Sequence, residues 1–165
     1  MVLISFSTVV PVNPPDTTPM LSKEDLWTAL VLKARDPKQF VPVIEKSEIV
    51  SEDESGLTRR VWFRGDGDDK KGGNGVEERV SFVEAMKIDF IIPATGQRVS
   101  NIMSTTPDGD LYLIFTFEWP HPELEAGSVE VKELERERGE LSRGIVPRTV
   151  EVARGLVRDG LLHLE

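Results

Sequence analysis

The sequence predicts one α+β domain in which a curved antiparallel sheet is closed by a long C-terminal helix. Three observations predict it. Between Val43 and Trp119, apolar and polar residues alternate in short runs separated by turn residues, the period of half-buried strands. Ahead of that stretch, residues 22–36 carry a helix start, an apolar stripe and a proline stop. Beyond it, from Ser128 onward, the chain is dense in Glu, Arg and Lys, and its apolar residues recur at helical spacing.

Residues 2–12 are β-branched and aromatic, and Asn13-Pro14-Pro15 ends that first strand because proline cannot continue a ladder. Pro14–Pro19 is a loop. Ser22 and Asp25 have capping-box spacing, and Glu24 and Asp25 lie in the first turn, where the helix dipole favours acids. Leu26, Leu30 and Ala34 form the stripe of this helix, widened by Trp27 and Val31. Asp36-Pro37 should stop it. Six strands follow: Ile44–Val50, Leu57–Phe63, Glu77–Val83, Lys87–Ile92, Arg98–Thr105 and Leu111–Trp119. Pro93-Ala94-Thr95-Gly96 and Thr106-Pro107-Asp108-Gly109 have good turn chemistry, and Gly65–Gly75 reads as a floppy connection. In the last third, Val131, Leu134, Leu141 and Ile145 form a stripe that runs on through Thr149, Val152 and Leu156. An internal proline costs about 3 kcal/mol, so Pro147 predicts two helical segments hinged near Gly144–Pro147.

The 165 residues suit a single domain spanning 1–165, with 39% apolar and 30% charged residues, as in globular proteins that live in water. A formal charge of −9 repels phosphate backbones and anionic lipid, which argues against nucleic acid and membrane partners. No cysteine is present, so thiol chemistry is excluded, and a reducing, cytoplasmic setting is the expectation. The N-terminal MVLISFSTVVPV has no basic lead and reads as a strand rather than a signal peptide. No stretch reaches the roughly 18 apolar residues of a membrane span. One helix cannot fill the concavity of a strongly bent sheet of this size, so a cavity between helix and sheet is expected.

Five segments carry a family resemblance: PVNPP at 11–15, LSKEDLWTALVLKARDPKQFVPVI at 21–44, LTRRVWF at 57–63, EERVSF at 77–82 and LYLIFTFEW at 111–119. With the element order, they resemble the SRPBCC or START-like (Bet v 1-like) superfamily, and more narrowly the AtaL-like family. The resemblance covers most of the first 120 residues. It implies a helix-grip fold with a hydrophobic tunnel and, for some members, a place in fungal secondary-metabolite clusters. It brings no catalytic motif. The Gly65–Gly75 loop and Pro147 depart from the pattern, and both bear on a cavity entrance.

Arg59 and Glu78 are the leading candidates, because each charge falls on the more apolar face of its strand and the strands are consecutive. A charge facing a core must be paired or solvated. They are either a polar anchor, with Arg59 on a carboxylate or enolate oxygen and Glu78 as its partner or a base, or a structural ion pair at the sheet edge. Asn101, beside Val99 and Met103, can hold a ligand carbonyl or satisfy backbone. Phe63, Val80, Phe82, Phe90, Met103, Phe115, Phe117, Val152 and Leu156 are the expected apolar lining, and Trp62 belongs to the same aromatic set. The set Leu113, Phe115, Phe117 is the natural inner face of its strand. With the opposite parity, Tyr112 and Glu118 become an acid–base pair. His121, in a Trp-Pro-His-Pro loop read as exposed, and His163 at the C-terminus leave no histidine metal site or nucleophile triad. Asp66-x-Asp68 with Glu77 superficially resembles a calcium loop but lacks its glycine and helices. Gly65-Asp66-Gly67 lacks a phosphate-loop context.

Two functions follow as expectations. The first is binding of an apolar, polyketide-like or lipid-like small molecule in the cavity. The second is a cofactor-independent cyclase, isomerase or dehydratase of secondary metabolism, with Arg59 and Glu78 as its catalytic residues and Asn101 positioning a carbonyl. A third reading makes the 128–145 helix an interaction surface, its Val131-Leu134-Leu141 stripe meeting a second subunit in a homodimer. Leu164-Glu165 read equally as native or as a cloning remnant.

Overall fold

The computed structural model describes residues 1–64 and 75–162. The Asp66–Asp68 segment, His163 and Leu164-Glu165 lie outside the described residues. Seven strands form one antiparallel sheet: β1 (Val2–Pro11), β2 (Ile44–Glu52), β3 (Gly56–Phe63), β4 (Val76–Val83), β5 (Lys87–Ile92), β6 (Gln97–Thr105) and β7 (Leu111–His121). Their spatial order is β1-β7-β6-β5-β4-β3-β2. The meander from β2 to β7 is therefore sequential, and only β1 reaches across to join the far side of β7. Helix α1 (Lys23–Arg35) leaves β1 through the proline loop, and α2 (Val129–Arg158) closes the chain. This is the helix-grip architecture.

Local chemistry explains the boundaries. The Ser22 side chain accepts from the Asp25 amide at 3.0 Å, and the Asp25 carboxylate accepts from the Ser22 amide at 2.9 Å, a complete capping box. Asp36 ends α1, its amide returning to the Leu32 carbonyl. Gly56 starts β3 because a Cβ there would stand 1.9 Å from the Val80 carbonyl oxygen, so only glycine admits this approach of β3 to β4. Edge strand β2 is irregular at Ile44/Lys46 and Ile49/Ser51, the kind of break that discourages further strand pairing.

The β1–β7 register pairs Ile4 with Trp119, Phe6 with Phe117, Thr8 with Phe115 and Val10 with Leu113. These are inward positions, whereas Leu3 and Val9 between them are exposed. Helix α2 packs along β1 and β7 and touches α1. Gly139 approaches the Phe6 ring, and the Thr8 and Ser142 hydroxyls meet at 2.6 Å. Ile4, Leu26, Leu30, Phe40, Ile88, Leu113, Phe115, Val146 and Ala153 belong to one continuous buried cluster. Each large aliphatic or aromatic member contributes roughly 1.5–3 kcal/mol by leaving water.

Two expectations about the last helix are corrected. Residues 129–158 form one continuous helix with Pro147 inside it, not two hinged segments. The proline removes one backbone donor, but the face around it is held down: Val146, Thr149, Val150 and Ala153 are buried on the sheet side. The buried stripe also differs. Leu141 is 42% exposed, while Gly139 and Ser142 are buried in its place, because the helix comes too close to β1 there for a large side chain. Val131 is buried and Leu134 packs against the core of this chain, which leaves Leu141 as the exposed member of the Val131-Leu134-Leu141 stripe.

Candidate functional site

Alternation on β3 and β4 turns Leu57, Arg59 and Val61, and Glu78 and Val80, to the inner face. The register sets Arg59 directly opposite Glu78. The Arg59 Nε donates to Glu78 Oε1 at 2.7 Å, and Nη2 reaches the same oxygen at 2.5 Å. Both residues are buried, at 3% and 7% exposure, so this is an interior pair rather than one at the sheet rim. The remaining arm of the guanidinium has a second duty. Its Nη1 donates to the carbonyls of Ala34 at 2.7 Å and Lys33 at 3.2 Å. Those carbonyls lie at the C-terminal end of α1, where backbone acceptors lack intrahelical partners and positive charge is favoured. Arg59 thus ties α1 to β3 and β4.

The structure adds a residue that the sequence pattern did not bring forward. Lys33, on the last turns of α1, is 5% exposed and points into the same interior. Its Nζ donates to Asn101 Oδ1 on β6 at 2.9 Å. It sits 4.6 Å from the Phe90 ring centroid and 5.0 Å from that of Phe115. Burial first, and then the nearby Arg59 guanidinium, lower its pKa from 10.5 to about 7, with Glu78 acting in the opposite direction. Charge counting gives the same direction. Arg59 and Glu78 neutralise each other, so a protonated Lys33 leaves an uncompensated charge in the core, and a neutral one does not. A signal is present in the sequence: Lys33 stands seven residues after Leu26 and three after Leu30, on the apolar stripe itself.

Asn101 is fully buried, and its Nδ2 has no partner among the described residues. A buried amide donor left unpaired costs about 1–3 kcal/mol and marks a place where water or a ligand group is wanted. The Arg59 guanidinium also lies over Phe90, at 5.0 Å. Lys33, Arg59, Glu78, Asn101, Phe90 and Phe115 therefore make one polar cluster in an aromatic frame, drawn from α1 and β3 through β7.

The other predicted lining residues are distributed more widely. Val80, Met103, Phe117 and Leu156 are buried, while Phe63, Phe82 and Val152 are half-buried. Phe82 meets Trp27 of α1 edge-on at 6.4 Å. Phe117 stacks on Trp119 at 5.2 Å, with Arg138 above Trp119, at a distance from the lysine cluster set by the β7 register. Leu113, Phe115 and Phe117 face inward, and Glu118 lies on the other face within 4.0 Å of Arg98, which removes the Tyr112–Glu118 pairing from the interior. Trp62 is on the outer face beneath Lys46. His121 is not in an exposed loop. It ends β7 opposite Val2, its Nδ1 2.9 Å from Glu123 Oε1.

An open cleft of about 770 Å³ lies elsewhere, between the proline loop, the start of α1 and the β6–β7 turn. Asn13, Met20, Leu111 and Tyr112 line it, and Lys33, Arg59, Glu78 and Asn101 do not. Its walls are loop backbone, exposed and half-buried side chains and the buried Leu21, without a buried charge. The lysine cluster holds the chemically distinctive groups.

The sequence model of the AtaL family, described as acetylaranotin biosynthesis cluster protein L, matches residues 6–160. The chain belongs to the AtaL family. A relative of that description from Aspergillus terreus (strain NIH 2624 / FGSC A1156) is 25% identical over 147 residues, covering 88% of this chain and 84% of the relative. Among solved structures, the Zhui aromatase/cyclase from Streptomyces sp. R1128 superposes with a TM-score of 0.61 at 16% identity, covering 96% of both chains. The di-domain aromatase/cyclase StfQ from the steffimycin biosynthetic pathway gives 0.65 at 12% identity, covering 96% of this chain and 52% of StfQ. The chain thus spans about half the length of that di-domain protein. At these identities the solved structures establish a shared helix-grip fold for this AtaL-family member. Among the described residues, no helix is long and apolar enough to cross a membrane.

Proposed function

We propose that this AtaL-family protein binds an apolar small molecule of secondary metabolism, polyketide-like or lipid-like, in the interior between α1 and the sheet. The observation that carries the reading is the buried Lys33–Asn101 pair, with an unpartnered amide donor, framed by Phe90 and Phe115. Apolar walls with a few convergent polar groups are the usual make-up of a small-molecule site. A carbonyl or enolate oxygen would satisfy the Asn101 amide and accept from the lysine. Val80, Met103, Phe82, Phe63, Phe117, Val152 and Leu156 would contact the apolar body. Membership of a family described by a biosynthesis cluster protein supports the pathway setting. Native mass spectrometry beside the denatured mass tests it. A sub-kilodalton adduct that disappears on denaturation is expected, either as purified or after incubation with apolar polyketides. A bare mass throughout would sink the proposal.

A second reading is favoured by a buried amine held by Asn101 beside the Arg59–Glu78 pair. An amine with a pKa near 7 is matched to proton transfer at neutral pH. Such a lysine can take a proton from a carbon next to a bound carbonyl, as a cofactor-independent cyclase, isomerase or dehydratase requires. Arg59 and Glu78 would then act by holding the turn of α1 that carries Lys33, and Asn101 would orient the carbonyl. Turnover of a cognate substrate should fall at least tenfold in Glu78→Gln and Lys33→Met. Undiminished turnover in both would exclude this reading.

A further inference from the structure

We propose that Lys33 is a nucleophile that captures a ketone or aldehyde carbon of the bound molecule as an imine. The inference rests on the binding reading above and deepens it by naming the reacting group of the ligand.

Imine formation needs an amine with a free lone pair, a carbonyl brought to it without bulk water, and a donor for the departing oxygen. The described charged groups facing Lys33 are Arg59 on β3 and Glu78 on β4, which pair with each other at 2.7 Å. That pair leaves no carboxylate free to hold an ammonium, so the interior favours the neutral amine. Burial, the largest cause, works in the same direction, and with Arg59 it brings the pKa to about 7 against the pull of Glu78. Phe90 and Phe115 flank Nζ and make its surroundings apolar. Asn101 holds Nζ through Oδ1 at 2.9 Å, and its unpartnered Nδ2 belongs to the same amide. That donor can meet the carbonyl oxygen as negative charge develops on it.

The steps balance without an oxidant or reductant. The Nζ lone pair forms a bond to the carbonyl carbon, and the C=O π pair moves to oxygen. A proton passes from nitrogen to that oxygen, giving a carbinolamine. Loss of the oxygen as water, with a second proton, leaves C=N. Hydrolysis reverses the sequence. With a 1,3-dicarbonyl compound, the imine shifts to a conjugated enaminone, which is stable and absorbs in the near ultraviolet.

Acetylacetone is therefore the probe. At pH 7.5 the full chain should form one enaminone, seen as a near-ultraviolet band and a single mass increment of acetylacetone less water. Peptide mapping should place it on Lys33. The rate should fall about tenfold for each pH unit below 7, as protonation removes the lone pair. Lys33→Met should lose the band, while the mapping on unaltered protein stands whether or not that variant folds. No enaminone, or one spread over the exposed lysines without Lys33, overturns the inference. The two proposals fail separately. Retention of an apolar metabolite in native mass spectrometry with no adduct on Lys33 leaves binding standing and removes the imine. An adduct on Lys33 with no retained metabolite does the reverse.

Discussion

Lys33 is where one side chain departs furthest from its ordinary behaviour. Its folded pKa of about 7 lies below the usual 10.5. Between those values the unfolded chain holds more protons than the folded one, so stability rises as pH climbs from about 7 toward 10.5. Below 7 both states carry the proton, and the full cost of the buried ammonium is present. Urea unfolding at pH 6.5 and 9.5 should show wild-type stability increasing across this window by an amount on the order of a few kcal/mol, with a clearly smaller increase in Lys33→Met. Parallel curves would mean that the lysine is solvated. Arg59 and Glu78 behave differently, since each leaves a buried charge when the other is removed. Glu78→Gln should cost about 3–5 kcal/mol in chemical denaturation. Arg59→Met should also speed amide exchange in the last turn of α1, because the caps on the Lys33 and Ala34 carbonyls go with it. The charged pair is legible from strand parity alone. The lysine is not, although its place on the stripe is plain, because a long amphipathic side chain at such a position commonly reaches back to water. Here Phe90, Phe115 and Asn101 close over it.

At the level of elements, α2 shows how tertiary packing overrides helix propensity. Pro147 leaves the Arg143 carbonyl without its usual backbone donor, yet the helix continues because Val146, Thr149 and Val150 are buried beside it. Pro147→Ala should raise stability by about 1–3 kcal/mol, read from the denaturation midpoint, and no gain would show that the packing around Pro147 already offsets its lost hydrogen bond. The helix glycines divide in the same way. A methyl group added at Gly144 or Gly155 would meet nothing within 4 Å, so alanine at either should stabilise by roughly 0.5–1 kcal/mol. At Gly139 the same methyl would stand 3.1 Å from the Phe6 ring, and the gain should be reduced or reversed. Equal gains at all three would remove the close approach of α2 to β1 as the reason for glycine there. Strand limits and the α1 cap are legible because alternation, capping spacing and turn residues are local signals. The buried face of α2 is not. Its small and polar members, Gly139 and Ser142, are chosen by the distance to β1, which no local pattern encodes.

For the molecule as a whole, an occupied interior predicts mass-action stabilisation. A ligand at a hundred times its dissociation constant should add about 2.7 kcal/mol to unfolding, visible as a rise in melting temperature, and its binding should show a negative heat-capacity change. An apolar metabolite that leaves both unchanged does not enter the core. Local patterning in the chain is enough for the α+β class, the strand series from Ile44 to Trp119, the capped first helix, the final helix and the inward direction of Arg59, Glu78, Asn101 and Phe115, because periodicity and turn chemistry act within a few residues. Packing in three dimensions is what pairs β1 with β7, keeps α2 whole through Pro147, and brings a lysine from α1 to an asparagine from β6 beside the Arg59–Glu78 pair. Those outcomes depend on distances between elements far apart in the chain, and on a low-dielectric interior that exists only once they have packed together.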